Sequence, residues 1–416
     1  MPRRRRRGDQ RGNRPLRAPA RRRGGGVQGN RPDRQMSRPA PSPPAAGSPP
    51  RVLVMGGGVA GLTAAAVFAR CGLTVSLVER AARLGGHAAR LSCKATSGCV
   101  HCGACLLEAA LQAVRAMPQV TVHLAASARI RRRGGAFSFE LDPACGPGPG
   151  APAKEAAAVF LATGFSAFSP AERPLGWGVF ANVLTNLELE DRLRAEGRLT
   201  RPSDGRVPGR VAFIQCVGSR NAQIGHLWCS AFCCAAALRA ARKIRHLHPE
   251  TEITVFYIDL QSVGRAPDAF LEECRRGLRL IRAVPGEALG AADGGIRLTW
   301  FDDAGRMSLE EAFDLVVLSA GMQPPADLAE TLAPLGLPRD SFGFAAEEGD
   351  RVFAAGSVRR PMTIAEAIAD SRRAARRLLA ALGWEGPRAD PAFDPVPKAA
   401  AASGAQPAPP RREGGR

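Results

Sequence analysis

Apolar residues along this chain fall into short unbroken runs separated by longer segments of mixed polarity. Val52–Met55 is one such run; Gly56-Gly57-Gly58 closes it, and Leu62–Arg70 has the length and composition of a helix. A second run, Thr74–Val78, ends in Glu79. The same rhythm returns further on: Val211–Gln215 reads as a buried strand, Ser230–His246 as a helix, and "EITVFYIDL" as a second strand carrying Asp259. Strand, helix and strand at this spacing make a βαβ unit, because a parallel strand is reached by a helical crossover. Two such units predict an α/β chain with two Rossmann-like domains.

The 416 residues are enough for two domains with real cores, and 45% of them are apolar. The formal charge of +20 changes the picture only once it is located. Residues 1–50 hold fourteen Arg and two Asp together with ten Pro and seven Gly, and show no apolar periodicity. They read as a solvated tail, and residues 385–416, with seven Pro, as a second one. The opposing reading of "RRRRR" is a contact with RNA, DNA or acidic lipid, and Met36 offers an alternative start. Nucleic acid is not the expected partner. No apolar stretch with a small-residue cleavage site follows the Arg run. Residues 52–69 are broken by consecutive glycines, so an integral membrane protein is not expected. Eleven cysteines in such a chain point to metal or redox chemistry in a reducing cytoplasm.

Gly56, Gly58 and Gly61 fit G-x-G-x-x-G, with a strand before, a helix after, and Glu79 eighteen residues beyond the last glycine. Gly56 permits the turn, Gly58 lets backbone approach a pyrophosphate, and Gly61 lets helix and strand pack. The helix N-terminus then faces the phosphates with its partial positive charge. Glu79 is the expected ribose acceptor. Its extension "ERAARLGGHA", with Arg80, Gly85 and Gly86, resembles the early motif of flavoproteins that carry two dinucleotide-binding domains. That resemblance implies FAD and a thioredoxin-reductase-like fold, with two three-layer ββα domains of the FAD–NAD(P) type. Thr163 and Gly164 in "AAVFLATGF" resemble that class's Ala-Thr-Gly strand end, and "FDLVVLSAGMQP" looks like a second copy. Gly356 and Ser357 in "DRVFAAGS" resemble its late Gly-Asp pair, with Ser in place of Asp. The helix entered through Pro361 is expected to point its N-terminus at the flavin.

Two cysteine quartets remain. Cys93, Cys99, Cys102 and Cys105 form C-x5-C-x2-C-x2-C, in which short turns return each thiolate to one centre. An iron–sulfur cluster, zinc, and free thiols all suit this spacing. Nearby His87 and His101 are expected to be solvated or hydrogen-bonded rather than ligands. Cys216, Cys229, Cys233 and Cys234 form C-x12-C-x3-C-C at a strand-to-helix junction where a nicotinamide domain would carry its phosphate glycines. Cys233 and Cys234 fall in the first turn of the expected helix, which predicts lowered thiol pKa values. They read either as metal ligands or as a reactive vicinal dithiol. Cys71, Cys145 and Cys274 have no partner pattern and read as inert thiols.

"FIQCVGSR", "WCSAFCC" and "ITVFYID" in register, with "GGH" after the first acid, resemble the A-type flavoprotein subunit of heterodisulfide reductase over about residues 50–385. The resemblance implies a [4Fe–4S] cluster on Cys216, Cys229, Cys233 and Cys234, and FAD on the glycine loop and Glu79. With the 93–105 motif, two clusters are expected. It also implies redox-subunit partners: heterodisulfide reductase B/C-like subunits, a ferredoxin, a hydrogenase or a dehydrogenase. The family's ferredoxin insertions are absent. The expected organisation is an FAD-binding domain in two parts (51–206 and 306–384), interrupted by a second Rossmann-like domain at 207–305. The expected function is an FAD- and [4Fe–4S]-dependent oxidoreductase that relays electrons without a general acid or base. Two alternatives are an NAD(P)H-dependent disulfide or metal-ion reductase using Cys233-Cys234, and an RNA-binding or scaffold flavoprotein acting through the Arg tail.

Overall fold

The computed structural model describes residues 49–143, 153–261 and 267–387. Residues 1–48 of the Arg-rich tail, Cys145 and residues 388–416 of the C-terminal tail lie outside the described residues. The chain begins with strand β1 (Arg51–Met55), helix α1 (Val59–Arg70) and strand β2 (Thr74–Val78). A loop carrying the first cysteine quartet leads to α2 (Leu106–Arg115) and β3 (Val120–His123). An antiparallel meander follows, β4 (Ala126–Arg133), β5 (Ala136–Pro143) and β6 (Lys154–Ala156), before β7 (Ala158–Leu161) returns beside β1.

Short strands β8 (Ser166–Ala167) and β9 (Val183–Thr185) precede α3 (Asn186–Glu196). Then come β10 (Arg210–Val217), α4 (Cys233–Leu247), β11 (Glu252–Phe256), α5 (Pro267–Gly277) and β12 (Arg279–Ile281). A second meander, β13 (Glu287–Gly290), β14 (Ile296–Asp302) and β15 (Met307–Phe313), leads into β16 (Leu315–Ala320) and β17 (Met322–Gln323). The chain closes with α6 (Leu328–Leu332), β18 (Glu348–Gly349), β19 (Val352–Ala354) and α7 (Ile364–Ala381).

Strand alternation explains the layers. In β1, Val52 and Val54 point to one face and pack with α1, α2 and α7, while Leu53 points to the other and packs with Ile130, Phe137 and Phe139 of the first meander. A strand buried on both faces must be apolar throughout, which is why this sheet reads as unbroken runs. The sheet order is β18-β19-β7-β1-β2-β3, parallel except at its β18–β19 edge.

The second sheet, β12-β11-β10-β16-β9, repeats the plan. Val211 and Phe213 face Leu238 and Ala241 of α4, while Ala212 and Ile214 face Leu298 and Trp300 of the second meander. Hydrogen bonding extends this sheet past the expected 207–305 on both sides. Strand β9 pairs with β16, and β16 with β10, so "FDLVVLSA" completes the second sheet instead of returning to the first. The physical reason is that Leu315–Ala320 is buried throughout and needs a neighbour on each edge. Among the described residues, no helix is long and apolar enough to cross a membrane.

Candidate functional site

The carboxyl ends of β1 and β7 lie side by side, and the glycine loop and Thr163-Gly164 leave them together. Gly56 has φ +100°, and a Cβ on it would sit 2.3 Å from the Ala162 carbonyl oxygen. A Cβ on Gly61 would lie 1.8 Å from the Gly56 oxygen, which fixes how closely α1 folds onto β1. Gly58 differs: nothing lies within 4 Å of the space a Cβ would take. That open face belongs to a cavity of about 1000 Å³.

Glu79 is held in place from two sides. Its Oε2 accepts the Gly57 N–H at 2.6 Å and its Oε1 the Ala81 N–H at 2.8 Å. An ionised carboxylate has about four acceptor positions, so two remain for a ligand. Gly85 donates to the Gly57 oxygen at 2.8 Å and bridges to Gly58, folding Gly85-Gly86 against the loop. Arg80, at the cavity wall, pairs with Asp327 at 3.1 Å, an exposed contact. Ser357 and the first turn of α7 line the same cavity. Gly356 donates to Asp370 at 2.9 Å, and Thr363 and Glu366 form a capping box at the α7 N-terminus. Burial works against ionisation of Asp370, but the Gly356 N–H, Arg373 and Arg359 together hold its carboxyl below the usual range.

Two buried polar atoms beside this space lack a partner among the described residues: Thr163 Oγ1 and Asn186 Oδ1, both from cavity-lining residues. Orphaned polar groups call for a ligand or water. With the open Gly58 face and the N-termini of α1 and α7, they fit a pyrophosphate-bearing flavin dinucleotide. His87 stacks on Phe165 at 4.3 Å and its Nε2 lies 3.0 Å from the Phe165 oxygen; burial first, then Arg90 and Arg80, push its pKa down against that hydrogen bond.

The first cysteine quartet borders this cavity. Cys93, Cys99, Cys102 and Cys105 all line it, Cys102 half-buried and the others exposed. Partial burial and then Cys102, Cys99 and Cys93 push the Cys105 thiol up, against its own backbone N–H, so the four sulfurs share one neighbourhood. His101, in the left-handed region at φ 49°, donates its N–H to Cys99 Sγ at 3.4 Å. The loop is tied down from both sides. Lys94 Nζ lies 2.5 Å from Glu190 Oε2, and Ser92 donates to the same oxygen through its N–H at 2.9 Å and its hydroxyl at 3.0 Å. From α4, Arg239 Nε donates to the Val100 oxygen at 3.1 Å and Lys243 Nζ to the Ala95 oxygen at 2.9 Å.

The second quartet sits at the β10–α4 junction. Cys216 occupies an irregularity in the β10–β16 register at φ 60°, and Cys233 and Cys234 open α4. Ala231, also at φ 60°, donates to Cys229 Sγ at 3.3 Å, repeating the device seen at His101. The expectation of lowered thiol pKa values is overturned. Burial, then the neighbouring thiols, push Cys216 up to about 11 and Cys233 well above the ordinary thiol value; Cys234 is raised mainly by burial. Desolvation of a thiolate outweighs the helix N-terminus here. Bound metal would supply the missing positive charge and deprotonate the thiols outright.

The place of a phosphate loop is filled. Phe168 packs so close to Gly218 that a Cβ there would lie 2.0 Å from the ring. The His226 and Trp228 rings lie 4.6 Å apart at a tilt of 35°, and Trp228 Nε1 donates to the Met322 oxygen at 2.9 Å. Asp259, three residues beyond β11, is taken by Arg220 at 2.5 Å. Among the described residues, no three Cys, His, Asp or Glu side chains stand arranged around a single metal ion. Cys71 and Cys274 are buried.

Several site residues were not singled out from sequence. Lys94, Glu190, Arg239 and Lys243 carry no motif, because their roles depend on contacts across 96 to 148 residues of chain. Gln215 and Ser319, on neighbouring strands β10 and β16, are buried with side-chain atoms lacking partners among the described residues. "FIQC" placed Gln215 in a strand but did not show it as an orphan.

The fold is similar to that of thioredoxin reductases. Thioredoxin reductase of T. acidophilum matches at a TM-score of 0.55 and 18% identity, over 79% of this chain and 97% of that one. The family model of the NAD(P)-binding Rossmann-like domain matches residues 54–109. In sequence the chain is similar to curated proteins named as the A subunits of heterodisulfide reductases. It is 34% identical over 240 residues to that of the H(2):CoB-CoM heterodisulfide,ferredoxin reductase of Methanothermobacter thermautotrophicus, covering 54% of this chain and 36% of that protein. It is 27% identical over 430 residues to that of the ferredoxin/F(420)H(2)-dependent CoB-CoM heterodisulfide reductase of Methanosarcina acetivorans, covering 82% of this chain and 54% of that protein. The chain thus spans about a third to a half of the length of these relatives.

Proposed function

We propose that this chain is an FAD- and [4Fe–4S]-dependent oxidoreductase subunit that relays electrons in a heterodisulfide-reductase-like complex. The observation that carries the reading is that the first cysteine quartet lines the same cavity as Gly58, Glu79 and Thr163. FAD exchanges electrons in pairs or singly and a [4Fe–4S] cluster takes one, so a flavin beside a cluster couples the two modes. Glu79 and the N-terminus of α1 would hold the ribose and pyrophosphate, with Arg80, Gly85 and Gly86 at the same end. Thr163, Gly164, Gly356 and Ser357 would flank the ring-bearing half, where the first turn of α7 offers a positive dipole to negative charge.

The two quartets, Cys93–Cys105 and Cys216–Cys234, would each hold one cluster. Their N–H to sulfur bonds from His101 and Ala231 favour thiolates. The redox partners implied by the relatives' names, a ferredoxin among them, are part of this proposal. The filled junction at Phe168, His226 and Trp228 speaks against nicotinamide binding there. A Cys233-Cys234 dithiol reductase is disfavoured because both thiols are buried and raised in pKa.

The test is stepwise anaerobic photoreduction followed by optical and EPR spectroscopy. Flavin bleaching accompanied by low-temperature iron–sulfur signals supports the relay. Complete bleaching without such signals from iron-loaded protein would oppose it.

A further inference from the structure

Helix α4 begins with Cys233-Cys234 of one quartet and reaches across to the other. Arg239, six residues on, donates to the Val100 oxygen at 3.1 Å, and Lys243, one turn later, to the Ala95 oxygen at 2.9 Å. Both acceptors lie in the loop that carries Cys93, Cys99, Cys102 and Cys105. Neither cation forms a salt bridge with a carboxylate among the described residues, and each is held through a carbonyl oxygen. The guanidinium of Arg239 lies over Phe270, 5.3 Å from the ring centroid, and lines the same cavity as Cys102. Two other cations at this loop are paired, Lys94 with Glu190 and Arg90 with Asp191, while Arg239 and Lys243 meet it through carbonyl oxygens. At the second quartet the nearby Arg220 is likewise paired, with Asp259. Two cations without a carboxylate partner among the described residues, Arg239 and Lys243, therefore meet the first cysteine loop.

Resting on the two-cluster reading, we propose that Arg239 is a positioning residue that clamps the Cys99–Cys105 loop to α4 and keeps an unpaired positive charge beside Cys102. A positive charge near a cluster stabilises its reduced, more negative form and raises its potential. The charge then raises the potential of the first quartet's cluster, and α4 fixes its separation from the second. Lys243 supports the clamp from one turn further along the helix.

Two measurements on the full chain test this. The first is an anaerobic EPR-monitored redox titration of wild type, Arg239→Gln and Arg239→Lys. The glutamine variant is expected to lower one cluster's midpoint by the equivalent of about a tenfold change in its reduction equilibrium, about 59 mV for one electron, and to leave the other unmoved. The lysine variant should restore much of the shift. The second is the rate at which Ellman's reagent modifies thiols in metal-free protein, expected to rise several-fold at Cys99 and Cys102 in both variants, because lysine lacks the guanidinium fork. Unchanged potentials, or equal shifts of both clusters, overturn the charge role; unchanged thiol rates overturn the clamp. Wild-type protein that assembles no iron defeats the functional reading instead, and the thiol rates still decide the clamp.

Discussion

The ammonium of Lys94 lies 2.5 Å from Glu190 Oε2 with both side chains buried, joining the first cysteine loop to α3 across 96 residues of chain. Removing one partner leaves the other charge desolvated. We expect Glu190→Leu or Lys94→Met alone to cost about 3–5 kcal/mol. The double variant should cost clearly less than the sum, since two apolar side chains leave no orphaned charge. Denaturant unfolding of the four proteins measures this; additive losses would mean the pair is not coupled.

Gly58 and Gly61 separate cofactor binding from folding. Gly61→Ala drives a Cβ to 1.8 Å from the Gly56 oxygen and should destabilise the first domain severely. Gly58→Ala meets no protein atom within 4 Å and should fold normally. Its methyl group instead enters the space assigned to the pyrophosphate, so FAD affinity should drop at least tenfold. Circular dichroism and flavin titration read the two effects.

That contrast shows what the sequence could disclose. The spacing of Gly56, Gly58, Gly61 and Glu79 is a local pattern imposed by one turn and one helix start, so it is legible without coordinates. The spacing of each cysteine quartet is visible in the same way. The width of the second sheet was not: β16 joins β10 through pairs such as Val211 with Leu315, and β9 joins β16 through pairs such as Val183 with Val316, all far apart in the chain. The raised thiol pKa at Cys233 is not legible, because a helix N-terminus can be read from sequence whereas burial cannot. Arg239 reads as an ordinary basic residue of an amphipathic helix until its Val100 contact is seen.

Acid sensitivity should trace in part to His87. Burial lowers its folded pKa beneath the ordinary value of 6.5, so between those two values the unfolded chain binds more protons. Stability from this group is present above the unfolded pKa and is lost as pH falls through the folded one. The denaturant midpoint should therefore fall between pH 7.5 and 5.5, and by less in His87→Gln, whose amide does not titrate. An identical fall in both proteins would assign the effect to other groups.

Loss of one quartet should leave the other loaded. Cys99→Ser with Cys102→Ser is expected to remove about four irons per chain, as is Cys229→Ser with Cys233→Ser. FAD content should stay near wild type in the second pair, whose cysteines do not line the cavity. Metal analysis and flavin absorbance on anaerobic protein check both. Loss of all iron from a single pair would show one shared site.

The most direct measurement is the iron, acid-labile sulfide and flavin content of wild-type protein kept free of oxygen. Two four-thiolate clusters beside one dinucleotide predict about eight irons, about eight sulfides and one FAD per chain. Zinc or bare thiols at the eight cysteines, with flavin as the sole chromophore, would contradict the account.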